Sequence, residues 1–160
     1  WRNESTFRCD GDVIQYRCED RRGQLLGREK RVIPDGYLVI TDHRQSAQGQ
    51  ITRARFLLEL DHATHSNERF GREKVAPGLA YIRSGVYKRR FGDNSGRWLV
   101  VTTGEVRMKN LMHQTERVAG SQAGAFLFTT FQRLKSDNVL LQPIWSQVGQ
   151  PSLVALFDTW

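Results

Sequence analysis

Alternating apolar and polar positions predict β-strands in the first sixty residues. Residues 6–18 and 25–41 form the first two predicted strands, separated by the polar stretch "EDRRG". A polar loop is expected over residues 42–50, before a third strand, "ITRARFLLELD", at residues 51–61. One face of this third strand is apolar, because side chains alternate along a strand, and carries Ala54, Phe56, Leu58 and Leu60. The pattern therefore predicts an antiparallel meander.

Helical spacing of apolar residues begins after residue 61. Residues 64–92 are predicted to be helical, with Thr64 or Ser66 as N-cap and with Pro77 as a kink or a second start. Residues 97–103 and 125–131 are predicted strands that flank an amphipathic helix over residues 104–120. The apolar face of that helix is assigned to Val106, Leu111, Met112 and Val118. The order βββαβαβ predicts an α/β fold with a mixed central sheet flanked by helices.

Hairpin arithmetic predicts that two acidic residues face each other across the second and third strands. If residues 42–50 join the strands symmetrically, paired residue numbers add up to about 94, so Asp35 opposes Glu59. The same register places Leu38 against Phe56 on the apolar face. Asp61 lies two residues beyond Glu59 and shares its face. Opposed carboxylates repel, but their oxygens suit a divalent cation.

Charge favours a polyanionic partner. The net charge is +7, and among 24 basic residues arginine greatly outnumbers lysine. Arginine's planar fork suits phosphate oxygens, so nucleic acid is the leading partner class.

Nothing in the sequence signals export or membrane insertion. No apolar run approaches the roughly 20 residues that cross a bilayer, and the N-terminal residues lack a signal-peptide pattern. We therefore expect a cytoplasmic protein without a membrane partner. Cys9 and Cys18 lie in a predicted hairpin and are expected to be reduced thiols rather than a disulfide.

Two short motifs resemble a known superfamily. "PD" at Pro34–Asp35, followed by acid-x-acid at Glu59–Asp61, resembles the signature of the PD-(D/E)XK nucleases. More narrowly, "IPDGYLVI", "FLLELDHAT", Lys74, Tyr81 and "RWLVVTT" together resemble bacterial replication-relaxation proteins, which are linked to plasmid replication, DNA relaxation and mobile elements. The resemblance extends from Trp1 to about Phe131.

The resemblance implies a restriction-endonuclease-like core and a metal site. Asp35, Glu59 and the carbonyl of Leu60 would hold Mg²⁺ or Mn²⁺, with Glu4 as an auxiliary acid at the end of a first helix. The superfamily's lysine normally stands where this chain has Asp61, which we include among the candidate catalytic residues. Lys74, on the following helix, is the candidate replacement for the lysine, because a cation near the phosphate stabilises developing negative charge.

The resemblance also implies a domain organisation. Residues 1–160 are expected to form one nuclease-like domain, with a core at 1–131 and a C-terminal extension at 132–160. A winged-helix domain is expected upstream of this chain. Cutting both strands of a duplex would favour a homodimer by symmetry.

Basic side chains provide candidate DNA contacts. "YKRRFG", at residues 87–92, mixes aromatic and basic groups, as phosphate-backbone contacts often do. The predicted DNA-binding residues are Arg69, Arg72, Lys88, Arg89, Arg90 and Arg97.

Three functions are compatible with these features. The first is a Mg²⁺-dependent DNA endonuclease or nickase acting in plasmid or mobile-element replication. The second is a catalytically inactive DNA-binding accessory protein with the same fold. The third is a protein-interaction domain whose positive charge is incidental.

Overall fold

The computed structural model describes residues 1–19, 22–42 and 52–158. Its strands are β1 (Arg2–Asn3), β2 (Asp12–Glu19), β3 (Leu25–Val32), β4 (Gly36–Asp42), β5 (Thr52–Asp61), β6 (Gly96–Thr102), β7 (Phe126–Thr130) and β8 (Ser146–Gln147). Its α-helices are α1 (Glu4–Cys9), α2 (Asn67–Phe70), α3 (Ala76–Ile82), α4 (Gly85–Phe91) and α5 (Glu105–Ala119). One π-helical turn, Gly71–Val75, joins α2 to α3, and two 3₁₀ turns cover Gly120–Ala125 and Leu156–Asp158.

A mixed six-stranded sheet organises the fold in the order β1-β4-β5-β6-β7-β8. The pairs β5–β6 and β6–β7 are parallel, whereas the other three pairs are antiparallel. Parallel neighbours require long crossover connections. Helices α2–α4 form the crossover from β5 to β6, and α5 forms the one from β6 to β7. The predicted α/β class, with a mixed sheet flanked by helices, is confirmed.

The register between β4 and β5 is the one that hairpin arithmetic predicts. Leu38 pairs with Phe56, and Ile40 pairs with Ala54, so the paired residue numbers add up to 94. Phe56 and Ala54 belong to a buried cluster on one side of the sheet, as the alternation indicated. The predicted loop falls almost wholly outside the described residues, at positions 43–50.

The two faces of the sheet are covered by different parts of the chain. One face packs Leu57, Val100 and Phe128 in a core shared with the helices and the β2–β3 hairpin. The opposite face packs against the C-terminal segment, which buries Trp145 and Leu156. Within this segment Val154 forms a β-bridge to Trp145, and residues 156–158 form a 3₁₀ turn.

The three-stranded meander predicted for the N-terminal half is not observed. Pro34 has no N–H to donate to a sheet, and the second predicted strand divides there. Its first part, β3, pairs only with β2 in a separate two-stranded sheet, while its second part, β4, joins the main sheet. The hairpin thereby becomes free to pack over the helices instead of extending the sheet.

The N-terminal residues also differ from the expectation. Residues 4–9 form α1 rather than a strand, because the Asn3 side chain accepts a hydrogen bond from the Thr6 amide and caps the helix. Cys9 is therefore exposed on a helix, whereas Cys18 is buried in β2, and both are free thiols. The predicted hairpin containing the two cysteines is wrong.

Helix α5 buries only part of the predicted apolar face, because Leu111 is buried and Met112 packs half-buried against the core, whereas the two valines are exposed. Its buried residues are Met108, Leu111, Thr115 and Ala119. Val106 is 77% exposed and Val118 is also exposed. Thr115 can be buried because its hydroxyl donates to the Leu111 carbonyl one turn earlier, at 2.8 Å. No helix in the described part of the chain has the length and apolarity needed to cross a bilayer.

Candidate functional site

Asp35 lies where β4 begins, beside the last residues of β5. Its backbone N–H donates to the Leu58 carbonyl at 2.9 Å, and its side-chain Oδ2 accepts from the Leu60 amide at 2.6 Å. Pro34 has no N–H and so interrupts the ladder of backbone hydrogen bonds. Beside it, the Asp35 carboxylate accepts from the Leu60 amide in place of a backbone carbonyl. The sequence Pro–Asp–Gly therefore ends one strand pairing, starts another and fixes a carboxylate at their junction.

Glu59 is the second acid and is almost fully buried. It lies on the helix-covered face of β5, where its side chain is 9% exposed. The ammonium of Lys74 lies 2.6 Å from Oε1 and 2.8 Å from Oε2, so both carboxylate oxygens face one cation. Asp35 is close enough to repel the ionised form of Glu59. Residues distant in sequence therefore form one cluster of two carboxylates and an ammonium.

The environment of Glu59 adjusts its protonation to neutral pH. Burial, assisted by the negative charges of Asp35 and Asp61, raises the pKa of Glu59 from 4.5 to about 7. Lys74 acts in the opposite direction but does not cancel the burial. A carboxyl with this pKa exchanges its proton readily near pH 7, and a bound cation would favour its ionised form.

The π-helical turn explains how Lys74 reaches Glu59. Ser66 caps α2 by accepting from the Arg69 amide at 3.2 Å, and the helix then widens over Gly71–Val75. Pro77 follows at the start of α3, so the Glu73 carbonyl cannot receive the usual bond from an N–H four residues later. A local π-turn satisfies the changed bonding and directs Lys74 toward the sheet.

Lys30 is a site residue that sequence reasoning did not select. Its ammonium donates to the Glu73 carbonyl, the acceptor that Pro77 leaves without a helical partner. Burial lowers the pKa of Lys30, and the nearby positive charge of Lys74 lowers it further. The available signal was period-two alternation, because Lys30 shares a face of β3 with the buried Val32.

These groups line a cleft of about 200 Å³ between the hairpin, α3 and the sheet. Trp98 contributes to its wall, and its charged groups come from Lys30, Arg31, Glu59, Glu73 and Lys74. The indole N–H of Trp98 is already bonded to the Gly78 carbonyl, at 3.1 Å, so this wall is held in place. The cleft admits a small polar group such as a phosphate.

Asp61 lies on the same face as Glu59 but is bound to other partners. Arg107 reaches both of its carboxylate oxygens at 2.9 Å, and the Thr102 hydroxyl donates at 2.7 Å. Burial alone would raise the pKa of Asp61, but the hydrogen bonds from Arg107 and Thr102 outweigh it and lower the pKa. This geometry gives Asp61 a structural role in joining β5 and β6 to α5.

Glu4 begins α1, whereas the resemblance placed it at the end of a helix. Because Asn3 pairs with Gly36, Glu4 follows immediately beside the start of β4. Its carboxylate pairs with Arg8 at 2.7 Å. Glu4 is therefore near Asp35 in the fold, but its side chain is engaged within its own helix.

The predicted DNA-binding residues do not form one surface. Arg69 pairs with Glu73 at 3.0 Å, and Arg90 is held by Asp12 at 2.5 Å with only 13% of its side chain exposed. Arg97 lies on the opposite face of the sheet from Glu59, because it is paired in register with Phe56.

The remaining three predicted contacts lie on two different helical segments. Arg72 lies 3.6 Å from Glu73, and its side chain is 30% exposed, less than that of Arg69. Lys88 and Arg89 are exposed on α4, where they stabilise the negative end of the helix dipole.

No family model, curated protein or solved structure matches this chain. Within residues 1–19, 22–42 and 52–158, no group of three or more histidine, cysteine, aspartate or glutamate side chains is placed to hold a metal ion. The functional argument therefore depends on the cluster of Asp35, Glu59 and Lys74.

Proposed function

We propose that this chain is a Mg²⁺- or Mn²⁺-dependent DNA phosphodiesterase, an endonuclease or nickase acting in plasmid or mobile-element replication. The observation that carries the proposal is the return of Lys74 to Glu59 across 15 residues, beside the carboxylate of Asp35. Two carboxylates and a cation at the junction of two strands are the functional groups that the PD-(D/E)XK resemblance requires. Lys74 thereby supplies the cation that the motif lacks at Asp61.

The donor set suits a hard divalent cation. One oxygen of Asp35 accepts from Leu60, and its other oxygen has no hydrogen bond among the described residues. Asp35, Glu59 and the carbonyl of Leu60 would hold the ion, and Mg²⁺ usually keeps several waters beside one or two carboxylates. When bound, the cation would polarise the scissile phosphate and lower the pKa of an attacking water.

The chain's own cations would act on the substrate phosphate. The Lys74 side chain is 36% exposed, so its ammonium can turn from Glu59 toward a phosphoryl oxygen. There it would stabilise the negative charge that develops as the phosphodiester is attacked. Lys30 adds a second positive charge to the same cleft and would help to bind the phosphate.

A catalytically inactive DNA-binding accessory protein is the second candidate. Both oxygens of Glu59 are engaged by Lys74, and both oxygens of Asp61 are engaged by Arg107. A site whose acids are neutralised internally can maintain the fold without chemistry. In such a protein the Asp35 carboxylate would serve only to accept the Leu60 N–H at the end of β5.

Nicking of supercoiled plasmid distinguishes the two candidates. The wild-type protein should convert supercoiled DNA to open-circular or linear forms with Mg²⁺ or Mn²⁺ and not with EDTA. Asp35→Asn and Lys74→Met should each reduce the rate at least about 100-fold, the scale of losing one preorganised electrostatic group. Glu116→Gln, which removes an exposed carboxylate from α5, is the matched control and should cut normally.

Two other results would identify the remaining functions. Plasmid that is bound but left intact by the wild-type protein at every metal concentration would refute the nuclease and favour the accessory protein. Absence of salt-sensitive DNA binding would refute both, and would leave the protein-interaction domain.

A further inference from the structure

A second cleft, of about 330 Å³, lies on the helix-facing side of β4 and β5 at the edge covered by β1. Cross-strand pairs place Arg2 beside Tyr37, Arg55 beside Val39, and Arg53 beside Thr41. Arg55 and Arg53 lie four and six residues before Glu59 on the same strand. At the rise of a strand they are about 13 and 20 Å from Glu59, so this cleft is separate from the cluster with Lys74.

The charge of this second cleft has one sign. Among the described residues that line it, four are arginines and none is acidic. Two of the arginines are anchored: Arg90 is bound to Asp12, and Arg55 is bound to Asp93 and to the Ser95 hydroxyl.

The other two arginines, Arg2 and Arg53, are exposed and have no ion-pair partner in the described part of the chain. Like charges gathered on one sheet face are unfavourable for stability. Their placement is explained if a polyanion occupies the cleft.

An exposed aromatic ring adds a second kind of contact. Trp1 is 74% exposed and is among the residues that line the cleft. Its ring lies where a Gly36 side chain would project, on the face of the sheet opposite Tyr37, so the indole flanks the cleft across the β1 edge of the sheet. A Cβ at Gly36 would come within 2.4 Å of that ring, so the glycine makes room for the indole. An indole with a free face can stack on a nucleobase of any sequence.

We infer that this arginine–tryptophan cleft binds single-stranded DNA, with Arg2 and Arg53 on backbone phosphates and Trp1 stacked on a base. A single strand exposes its phosphates and base faces together, whereas a duplex keeps its base faces stacked inside. Stacking beside an electropositive groove is the general means of binding single strands without sequence preference. The site needs neither the metal nor the chemistry proposed for Asp35.

The test measures binding of a fluorescent single strand of about 20 nucleotides by anisotropy, in EDTA and over a range of salt concentrations. The double variant Arg2→Gln/Arg53→Gln should weaken binding at least about tenfold at low salt. It should also reduce the slope of log K against log salt by about 1.4, the value for two single-strand phosphates. Trp1→Ala should weaken binding about fivefold or more without changing this slope.

The matched control is Arg83→Gln/Arg117→Gln, which removes the same charge from two exposed arginines without ion pairs in the described residues. It should change the affinity less than about twofold in the same assay. Circular dichroism would show that both double variants are folded.

Three results would overturn the inference. The first is an equal loss of affinity in the two double variants, and the second is a duplex bound as tightly as the single strand. The third is a mononucleotide that competes as effectively as the single strand at equal phosphate concentration. Because EDTA prevents metal-dependent cleavage, none of these results depends on whether the chain is a nuclease. Conversely, failure of plasmid nicking would leave this inference unaffected.

Discussion

Replacing Glu59 by glutamine should remove a loss of stability that the wild-type protein undergoes as the pH rises. Burial raises the pKa of Glu59 from 4.5 in an exposed carboxyl to about 7 in the folded protein. The native state therefore binds a proton that the unfolded chain has already released between these values. The stability that this group contributes is fully present below pH 4.5 and is lost as the pH rises through 7.

The size of the effect follows from the two pKa values. The gap between 4.5 and about 7 corresponds to about 3 kcal/mol, at 1.36 kcal/mol for each pH unit. Glu59 is 9% exposed, so solvent screens this free energy little. Glutamine has nearly the same shape and carries no charge at any pH, so its contribution does not depend on pH.

The assay is urea unfolding followed by tryptophan fluorescence at several values between pH 4.5 and 8. The free energy of unfolding of Glu59→Gln minus that of wild type should become more positive by about 3 kcal/mol across this range. The exposed substitution Glu116→Gln corrects for the general loss of a carboxylate. A difference between wild type and Glu59→Gln that stays constant with pH would refute the raised pKa of Glu59.

Three further substitutions test the packing around the site. Lys74→Met should lower the free energy of unfolding by about 1–2 kcal/mol at pH 8. This loss is smaller than that for breaking a fully buried ion pair, because the Lys74 side chain is 36% exposed. Thermal melts should show a smaller loss at pH 6, where Glu59 takes up a proton. Asp61→Asn should cost about 3 kcal/mol in urea unfolding, because it removes the charge that Arg107 binds. That cost should shrink below about pH 4, because wild-type Asp61 loses its contribution as the pH falls through its lowered pKa. Gly96→Ala should destabilise the protein by about 1–3 kcal/mol in chemical unfolding, because the new Cβ would lie 2.2 Å from the hydroxyl of the buried Tyr87.

The pairing of β4 with β5 could be predicted because two independent constraints agreed. A one-residue slip would have turned Phe56 toward the wrong face, and a symmetric connection gave the same register as the apolar alternation. The opposition of Asp35 and Glu59 followed from that register without knowledge of the rest of the fold.

Contacts between distant segments could not be obtained in this way. The hairpin of β2 and β3 reads like part of a continuous meander, and only three-dimensional packing separates it from the main sheet. The position of Lys30 over the cleft depends on that separation. The approach of Lys74 to Glu59 likewise depends on a π-turn, for which Pro77 was the only local signal.

In α5, helical periodicity identified only part of the buried face. The predicted face shares Leu111 with the face that the protein buries, whereas Val106 and Val118 are exposed and Met108 and Ala119 are buried instead. Thr115 lies on the buried stripe and reads as polar, although its hydroxyl is satisfied within the helix. Local hydrogen bonding therefore changed which face could be buried.

Calorimetric titration with Mn²⁺ tests most directly the claim that Asp35 and Glu59 hold a divalent cation. The wild-type protein should bind one ion per chain, and Asp35→Asn and Glu59→Gln should each weaken binding at least about tenfold, because a cation held by two carboxylates loses one. Glu116→Gln should bind like the wild type. A wild-type protein that takes up no Mn²⁺, or one whose affinity is unchanged by both substitutions, would contradict the account.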